Sequence, residues 1–296
     1  MYNESYLSGL FFSLLAGTIW GCVQVIYFNH INYIPPLEII AHRSLWAFFI
    51  LFFVIISLKN FKKYLLIFND FRKIFFLSLT ALLVSSNWFF FILAVSINKV
   101  NESAMGYFIS PIFSVAFGYI FFKEKLSKIQ LISLLLIIIA IINLIVNLGV
   151  LPWISLSLAT TWSIYGLIRK KIDVSSEIGL LFETSFLAPF FFTYIIFLKI
   201  NGIDHFKIDD NYSHFFLIGA GIVTLVPLFF FNLGVKKIPL GIAGLIFYLV
   251  PTLQFLTSIT YLNEEISYIK LISFIIIWIS IIIFIYDSFK KKNILY

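Results

Sequence analysis

Four ionisable side chains fall within strongly apolar stretches of this chain: Glu38, His42 and Arg43 in one stretch and Glu183 in another. An ionisable group placed in hydrocarbon costs about 3 kcal/mol or more, so such groups usually face a cavity and bind, relay or pair with charge. Residue types of this kind are typical of substrate binding or proton movement within a membrane. They are the first candidates for function.

Arg43 keeps its proton under all ordinary conditions, so it must be solvated, paired or bound to a substrate anion. It lies seven residues after Pro36, about 10 Å along a helix. At that depth it could also extend to the outer headgroups, which is the alternative to a binding role.

Glu38 and His42 are four residues apart and share one face of a helix. His42 could relay a proton because imidazole titrates near neutrality. The alternative is a neutral His42 that hydrogen-bonds to a neighbouring helix. Glu38 is a candidate coupling or gating residue.

Glu183 falls 140 residues after Arg43, within the second apolar stretch. It is a candidate for substrate binding and for proton coupling in an alternating-access pathway. The alternative is a carboxylate at the membrane interface, close to the basic run Arg169–Lys171.

Uncharged polar and aromatic residues complete the candidate substrate site. Amide side chains either join helices or bind ligand, and aromatic side chains either pack or stack on a substrate. The candidates are Trp20, Asn87, Trp88, Tyr107, Tyr165, Tyr248 and Gln254.

The composition is that of an integral membrane protein: 61% of residues are hydrophobic and 12% are charged. These values exclude a soluble enzyme, a nucleic-acid-binding protein and a disordered chain. The single cysteine, Cys22, excludes a disulfide framework. No cofactor and no metal are expected.

About 20 apolar residues are needed for a helix to cross a bilayer. The sequence predicts an all-α fold with ten transmembrane helices: Leu7–Phe28, Pro36–Leu58, Ile74–Ile97, Ser103–Phe122, Ile129–Asn147, Leu151–Ile168, Ile178–Leu198, Phe215–Val235, Leu240–Leu262 and Ile269–Ser288. Sixteen Lys and Arg residues fall in segments on the same side of the membrane as the termini. Four fall on the other side of the membrane: Lys99, Lys199, Lys207 and Lys270. The positive-inside rule therefore predicts that both termini are cytoplasmic.

The two halves of the chain align at an offset near 140 residues. Pro111 aligns with Pro251, and Glu124 aligns with Glu264. Five is an odd number of helices, so the repeats 1–147 and 148–296 are predicted to be inverted and to form one transport unit. Chance similarity between apolar runs is the alternative. The two prolines are predicted to kink their helices and to act as hinges. The alternative is a static kink that only serves packing.

The sequence lacks a phosphate-binding loop for ATP, which excludes a primary pump. It also lacks a His/Cys metal cluster, which disfavours a membrane metalloenzyme. An ion channel fits poorly because it needs a symmetric ring of charges or carbonyls. An intramembrane enzyme, such as a lipid-modifying transferase, would need catalytic groups clustered at one depth. A secondary transporter fits best.

These residues also carry a family resemblance over about residues 8 to 287. The matching segments are Ile19-Trp20-Gly21, Glu38-Ile39, His42-Arg43, Trp46, Asn87-Trp88, Gly106-Tyr107-Phe108, Pro111, Tyr165-Gly166-Leu167, Arg169-Lys170-Lys171, Gly179-Leu180-Leu181, Glu183-Thr184, Gly221-Ile222-Val223-Thr224, Pro227, Pro251-Thr252 and Ile277-Trp278. The chain resembles the RarD group of the EamA family, in the drug/metabolite transporter superfamily. Ser110 and Phe247 depart from the pattern, since relatives commonly carry Asn and Gln there.

The resemblance implies a multi-pass transporter of the bacterial inner membrane with two inverted five-helix repeats and a central cavity. We expect a small polar or amphipathic metabolite as substrate, an amino acid or a related compound, and drug efflux is the alternative. Membrane lipid is the expected surrounding, a proton or another ion is a candidate coupling partner, and no nucleic acid is expected. The protein should be a monomer or a weak homodimer.

Overall fold

The computed structural model describes residues 4–96, 100–148, 153–206, 211–261 and 268–292. All regular secondary structure in these ranges is helical. The predicted span ends Ile97, Leu151 and Leu262 lie outside the described residues, as do Lys99, Lys207 and Glu264.

The helices follow one another with short connections. They are α1 (Glu4–Thr18), a π-helical turn (Ile19–Val23), α2 (Gln24–Asn29), α3 (Pro36–Ser57), α4 (Phe61–Leu65), a 3₁₀ turn (Leu66–Asn69), α5 (Phe71–Ser96), α6 (Val100–Phe122), α7 (Lys128–Leu148), α8 (Trp153–Lys171), α9 (Ser176–Ile200), α10 (Asn211–Lys237), α11 (Leu240–Ile246), α12 (Leu249–Thr260) and α13 (Tyr268–Lys292).

Within the described residues, eight helical segments are long and apolar enough to cross a membrane. The protein is therefore an all-helical, multi-pass membrane protein. The sixth predicted span corresponds to α8, which is not among the eight, and the tenth is represented by the shorter apolar stretch Leu271–Phe284. Helix α8 is more polar than the eight segments because it contains Ser155, Ser163 and Arg169. These side chains are buried in the protein. The count of ten spans stays a prediction.

Two of the predicted spans are interrupted helices. The first contains the π-helical turn Ile19–Val23, a feature that frequently occurs at functional sites. The ninth is divided between α11 and α12 at Phe247 and Tyr248. Phe247 lies four residues before Pro251, which has no N–H to donate to the Phe247 carbonyl, so the helix breaks there. Helix α6 continues through Pro111.

Contacts along the chain fix the relative directions of the helices. Helix α6 runs antiparallel to α11 and α12, because Glu124 meets Leu240 at one end and Phe108 packs on Tyr248 further along. Helix α7 runs antiparallel to α13, because Ser127 bonds to Asp287 and Asn143 bonds to Ser273.

Two helix pairs run parallel, and a glycine permits the close approach in each. At Gly21, a Cβ atom would lie 2.5 Å from the Leu253 Cβ of α12. At Gly106 of α6, a Cβ atom would lie 2.8 Å from the Ser155 carbonyl oxygen of α8. Since α6 opposes α12, the first helix and α8 also point in opposite directions.

Helices α3 and α9 end in the same way. After α3, Lys59 has a φ of 55° and Asn60 N–H donates to the Ile55 carbonyl. After α9, Gly202 has a φ of 66° and Ile203 N–H donates to the Leu198 carbonyl. Both ends are Schellman motifs, which satisfy carbonyls that the helix leaves unpaired.

Two faces of the bundle serve as landmarks. The face at which α8 and α10 end is called the basic face, because Arg169–Lys171 and Lys236–Lys237 lie there. The face at which α3 begins and α9 ends is called the opposite face.

Candidate functional site

A cavity of about 400 Å³ lies in the half of the bundle nearer the opposite face. We call it the Arg43 cavity. Of the described residues, it is lined by Trp20, Gln24, Arg43, Asn87, Trp88, Phe91, Tyr107, Trp162, Phe247, Val250 and Gln254.

Arg43 is the charged residue of this cavity, and only 2% of its surface is exposed. Its guanidinium carbon lies 4.3 Å from the centre of the Trp88 ring and 5.2 Å from the centre of the Phe28 ring. Among the described residues, no carboxylate lies within salt-bridge distance of it, and its Nε atom has no hydrogen-bond partner. Burial at this level excludes the alternative in which Arg43 extends to the headgroups. The cavity therefore presents an uncompensated cation.

Two amide side chains lie in the same lining, and each is oriented by a backbone carbonyl. Asn87 donates through Nδ2 to the Leu158 carbonyl at 2.9 Å and to the Thr161 hydroxyl at 3.0 Å. Gln24 donates through Nε2 to the Val223 carbonyl at 3.1 Å. A carbonyl oxygen can only accept, so the atom facing it must be nitrogen. Both amides keep an acceptor oxygen.

Four aromatic side chains form a cluster at one end of the Arg43 cavity, and we call them the aromatic barrier: Trp20, Trp162 and Phe247, which line the cavity, and Phe231, which packs behind them. Trp162 contacts each of the others, with ring centres 5.0, 4.7 and 5.1 Å away, respectively. All four are buried. Ring pairs at such distances are attractive beyond their buried area, so the barrier is a packed and stable element.

A second cavity of about 260 Å³ lies on the other side of the aromatic barrier, toward the basic face. Trp162 and Phe247 line both cavities. We call this space the basic-face cavity. Its further described lining residues are Ser110, Pro111, Ser114, Gly166, Phe231, Leu240, Ala243 and Gly244.

Glu124 and Lys170 hold the start of α11 at the edge of the basic-face cavity. The Glu124 carboxylate accepts from the Leu240 N–H at 2.9 Å and from the Gly241 N–H at 3.1 Å. Lys170 lies 3.8 Å from the same carboxylate and donates to the Ile238 carbonyl at 2.5 Å. A carboxylate at these N–H groups stabilises the start of a helix. We call this contact the Glu124 cap.

Glu183 lies outside the Arg43 cavity, in a buried network. Its carboxylate lies 3.6 Å from the Arg169 guanidinium, and it accepts from the Thr80 hydroxyl at 2.7 Å and the Tyr165 hydroxyl at 3.4 Å. Asn232 donates to the Tyr165 hydroxyl and accepts from Arg169 Nε at 3.1 Å. We call these five residues the Glu183 network.

The Glu183 network is nearly dry, since the side chains of Arg169 and Glu183 are 0% and 2% exposed. Sequence reasoning assigns Arg169 to a cytoplasmic loop, but the structure places it within α8. Glu183 also borders a separate apolar space of about 290 Å³, which Trp88 separates from the Arg43 cavity. Glu183 is therefore paired internally and does not face Arg43.

Glu38 and His42 lie at the opposite face. The Glu38 carboxylate accepts from the His205 backbone N–H at 2.7 Å, and its other oxygen lies 2.8 Å from His205 Nδ1. The His42 ring stacks on Phe206 with ring centres 5.1 Å apart. These two residues fasten the segment after α9 and do not line the Arg43 cavity.

Six predicted substrate-binding residues meet in the Arg43 cavity: Trp20, Arg43, Asn87, Trp88, Tyr107 and Gln254. His42, Tyr165, Glu183 and Tyr248 lie elsewhere. Tyr165 is a member of the Glu183 network, and its ring stacks on that of Trp162 with ring centres 5.4 Å apart. The buried Tyr248 packs on Phe108. Among the residues proposed for gating, Pro111 lines the basic-face cavity and Pro251 follows the helix break.

Sequence reasoning missed Gln24 and Trp162 in the lining. Gln24 carried a signal, since a polar amide in an apolar stretch usually contacts another helix. Trp162 carried none, because aromatic residues are frequent throughout the chain. Phe247, which departs from the family pattern at a position that could face the cavity, does line it.

Comparison with known proteins shows which sequences and structures this chain is similar to. The model of the EamA-like transporter family matches residues 7–146 and again residues 151–286. Protein RarD from Escherichia coli (strain K12) is 34% identical over 285 residues, 96% of each chain. An uncharacterized transporter from Vibrio cholerae is 32% identical over 285 residues, 96% of this chain and 94% of the relative. A solved crystal structure aligns with a TM-score of 0.71 and 15% identity, over 96% of this chain and 98% of that chain, and shares the fold.

Proposed function

This chain belongs to the EamA-like transporter family, and we propose that it is a secondary active transporter of the bacterial inner membrane. Its substrate is a small amphipathic metabolite with an anionic group, an amino acid or a related compound. The observation that carries this proposal is the buried, uncompensated Arg43 guanidinium in a cavity of about 400 Å³ with aromatic walls.

Alternating access is the mechanism that the arrangement supports. The Arg43 cavity and the basic-face cavity lie in line on the two sides of the aromatic barrier. Rearrangement of Trp162 and Phe247, which border both cavities, would connect them. The helix break beside Phe247 supplies a hinge at this point, because α11 and α12 are already separate segments.

The predicted inverted repeat agrees with the helix directions. The pairs α3 with α9, α6 with α11 and α12, and α7 with α13 are antiparallel, as an axis in the membrane plane requires. We propose ten spans in two repeats, 1–147 and 148–296, with the basic face and both termini in the cytoplasm. The Lys and Arg asymmetry of the sequence supports this orientation.

Transport by purified protein in sealed liposomes tests the proposal, with Arg43→Ala as the diagnostic variant. A thermal-shift screen of amino acids and small organic acids first selects the substrate, because ligands of the folded state raise the melting temperature. We expect saturable uptake of the unmodified substrate by the natural protein. Arg43→Ala should lose that uptake while it is expressed and inserted normally.

Arg72→Ala is the matched control. Arg72 is an exposed arginine at the start of α5, away from all three cavities, so its removal should leave uptake unchanged. Natural uptake rates in the Arg43→Ala protein would contradict the assigned role of Arg43. Chemical conversion of the substrate would contradict transport as the function.

A further inference from the structure

The polar lining of the Arg43 cavity has two different chemical characters. Arg43 supplies only donors and a positive charge. One N–H of the Gln24 amide donates to the Val223 carbonyl, and the Asn87 amide nitrogen donates to the Leu158 carbonyl and the Thr161 hydroxyl. The amide oxygens of both side chains accept no hydrogen bond from the described residues, and Gln24 keeps one further N–H.

The guanidinium of Arg43 is held in a way that favours a carboxylate. The Trp88 ring lies against its face at 4.3 Å, which leaves the N–H groups at its edge for a ligand. A planar guanidinium matches a carboxylate with two parallel hydrogen bonds. A substrate carboxylate would also supply the negative charge that the described surroundings of Arg43 lack.

No acidic side chain among the described residues lines the Arg43 cavity. Glu183, the acidic residue that could balance an ammonium group, is paired with Arg169 beyond Trp88. An ammonium group bound in the cavity must therefore be held by neutral oxygens and by the faces of aromatic rings. Ammonium groups are attracted to both.

We infer that the Arg43 cavity is a zwitterion site, in which Arg43 binds the carboxylate of an α-amino acid and the amide oxygens of Gln24 and Asn87 accept from its ammonium group. The apolar side chain of the substrate then packs on Trp20 and Phe247 of the aromatic barrier. The inference deepens the proposed function and rests on it. It predicts that the amino group is recognised and is not merely tolerated.

Ligands that differ by one group test the inference on the purified, full-length protein. The probes are L-leucine, L-methionine and L-phenylalanine, each with its des-amino carboxylic acid and with its decarboxylated amine, and binding is measured by calorimetry. For at least one of the three, the amino acid should bind about tenfold to a hundredfold more tightly than either partner compound. A des-amino acid that binds as tightly as its amino acid overturns the inference.

Two variants separate recognition from loosened packing. Gln24→Met and Asn87→Leu remove the amide oxygens and also a hydrogen bond between helices. If the amide oxygens recognise the ammonium group, each variant should bind the amino acid about tenfold more weakly. Its affinity for the des-amino acid should be unchanged. Equal losses for both ligands overturn the assignment. Asn143→Leu is the matched control, because Asn143 joins α7 to α13 and does not line the cavity.

The outcomes distinguish this inference from the proposed function. Uptake of des-amino acids without amino-acid binding would support the proposed transport function and contradict the ammonium subsite. Absence of both binding and uptake for every probe, in protein that is folded, would overturn both.

Discussion

The ion pair between Arg169 and Glu183 is a structural contact at the level of single residues. Both charges are buried; Thr80 and Tyr165 donate to the carboxylate, while Asn232 and the Ser176 carbonyl accept from the guanidinium, whose Nη1 faces Glu183 at 3.6 Å without a hydrogen bond. Removing one member of such a pair leaves an uncompensated charge in a dry site, which costs about 3–5 kcal/mol. The pair holds α8 against α9 on the basic-face side of the cavity.

Glu183→Gln should therefore lower the thermal stability of the purified protein by an amount that corresponds to about 3 kcal/mol. The double variant Arg169→Gln/Glu183→Gln should recover part of this loss, because it leaves no unpaired charge. Melting of the two single variants and the double variant in detergent measures the coupling. A Glu183→Gln protein of natural stability that has lost only uptake driven by a proton gradient would show instead that Glu183 is a proton-coupling residue.

The division of roles between Arg43 and Glu183 could be predicted from the sequence only in part. Their depth in apolar stretches identified both as functional candidates. Which helix face carries each residue could not be read, since lipid and protein interior are equally apolar and weaken the periodicity. The burial of Arg169 could not be predicted because it is followed by Lys170 and Lys171. Three consecutive basic residues ordinarily indicate a loop outside the membrane.

Helix α11 borders the basic-face cavity. It has only seven residues, it ends at the break beside Phe247, and the Glu124 cap holds its first turn. A short helix with a hinge at one end and a cap at the other can move as a unit. Its movement would open the basic-face cavity, because Leu240, Ala243 and Gly244 form part of the lining.

Removing the Glu124 cap should increase the opening of α11. We expect Glu124→Ala to raise amide hydrogen exchange in Leu240–Ile246 about fivefold, as a lost cap costs about 1 kcal/mol. Mass spectrometry of the natural and variant proteins in detergent measures this change.

Asp70→Ala is the matched control for the cap. Asp70 accepts from the Arg72 and Lys73 N–H groups and caps α5, which has no comparable hinge. Its loss should change exchange only at the start of α5. Unchanged exchange in Leu240–Ile246 of the Glu124→Ala protein would show that the cap does not hold α11 closed.

At the level of elements, the sequence predicted where the spans lie but not how two of them are interrupted. Pro251 indicated a kink, and the helix indeed breaks four residues earlier. At Pro111 the helix α6 is not interrupted, and α8 and α11 pack against it there. The π-helical turn that contains Trp20 has no sequence signature, since it depends on packing against α12.

At the level of the whole molecule, helices that correspond in the proposed repeats, such as α3 with α9 and α7 with α13, are antiparallel. Both α3 and α9 end in Schellman motifs. The inverted repeat proposed above would have two related pathways that enter from opposite faces. The Arg43 cavity and the basic-face cavity are the spaces that these pathways would reach.

Alternating access requires that the two cavities be reached from opposite sides of the membrane. Cys22 is the single cysteine of the chain, so Cys22→Ser gives a background without thiols. Gln254→Cys then places a thiol in the lining of the Arg43 cavity, and Ser114→Cys places one in the lining of the basic-face cavity.

The decisive measurement is labelling of these two variants in sealed, oriented vesicles with a maleimide that cannot cross the membrane. We predict that the thiol at position 254 reacts from the external side and the thiol at position 114 from the cytoplasmic side. Transported substrate should change both rates in the same experiment. Labelling of both thiols from one side only, at rates that substrate leaves unchanged, would contradict alternating access.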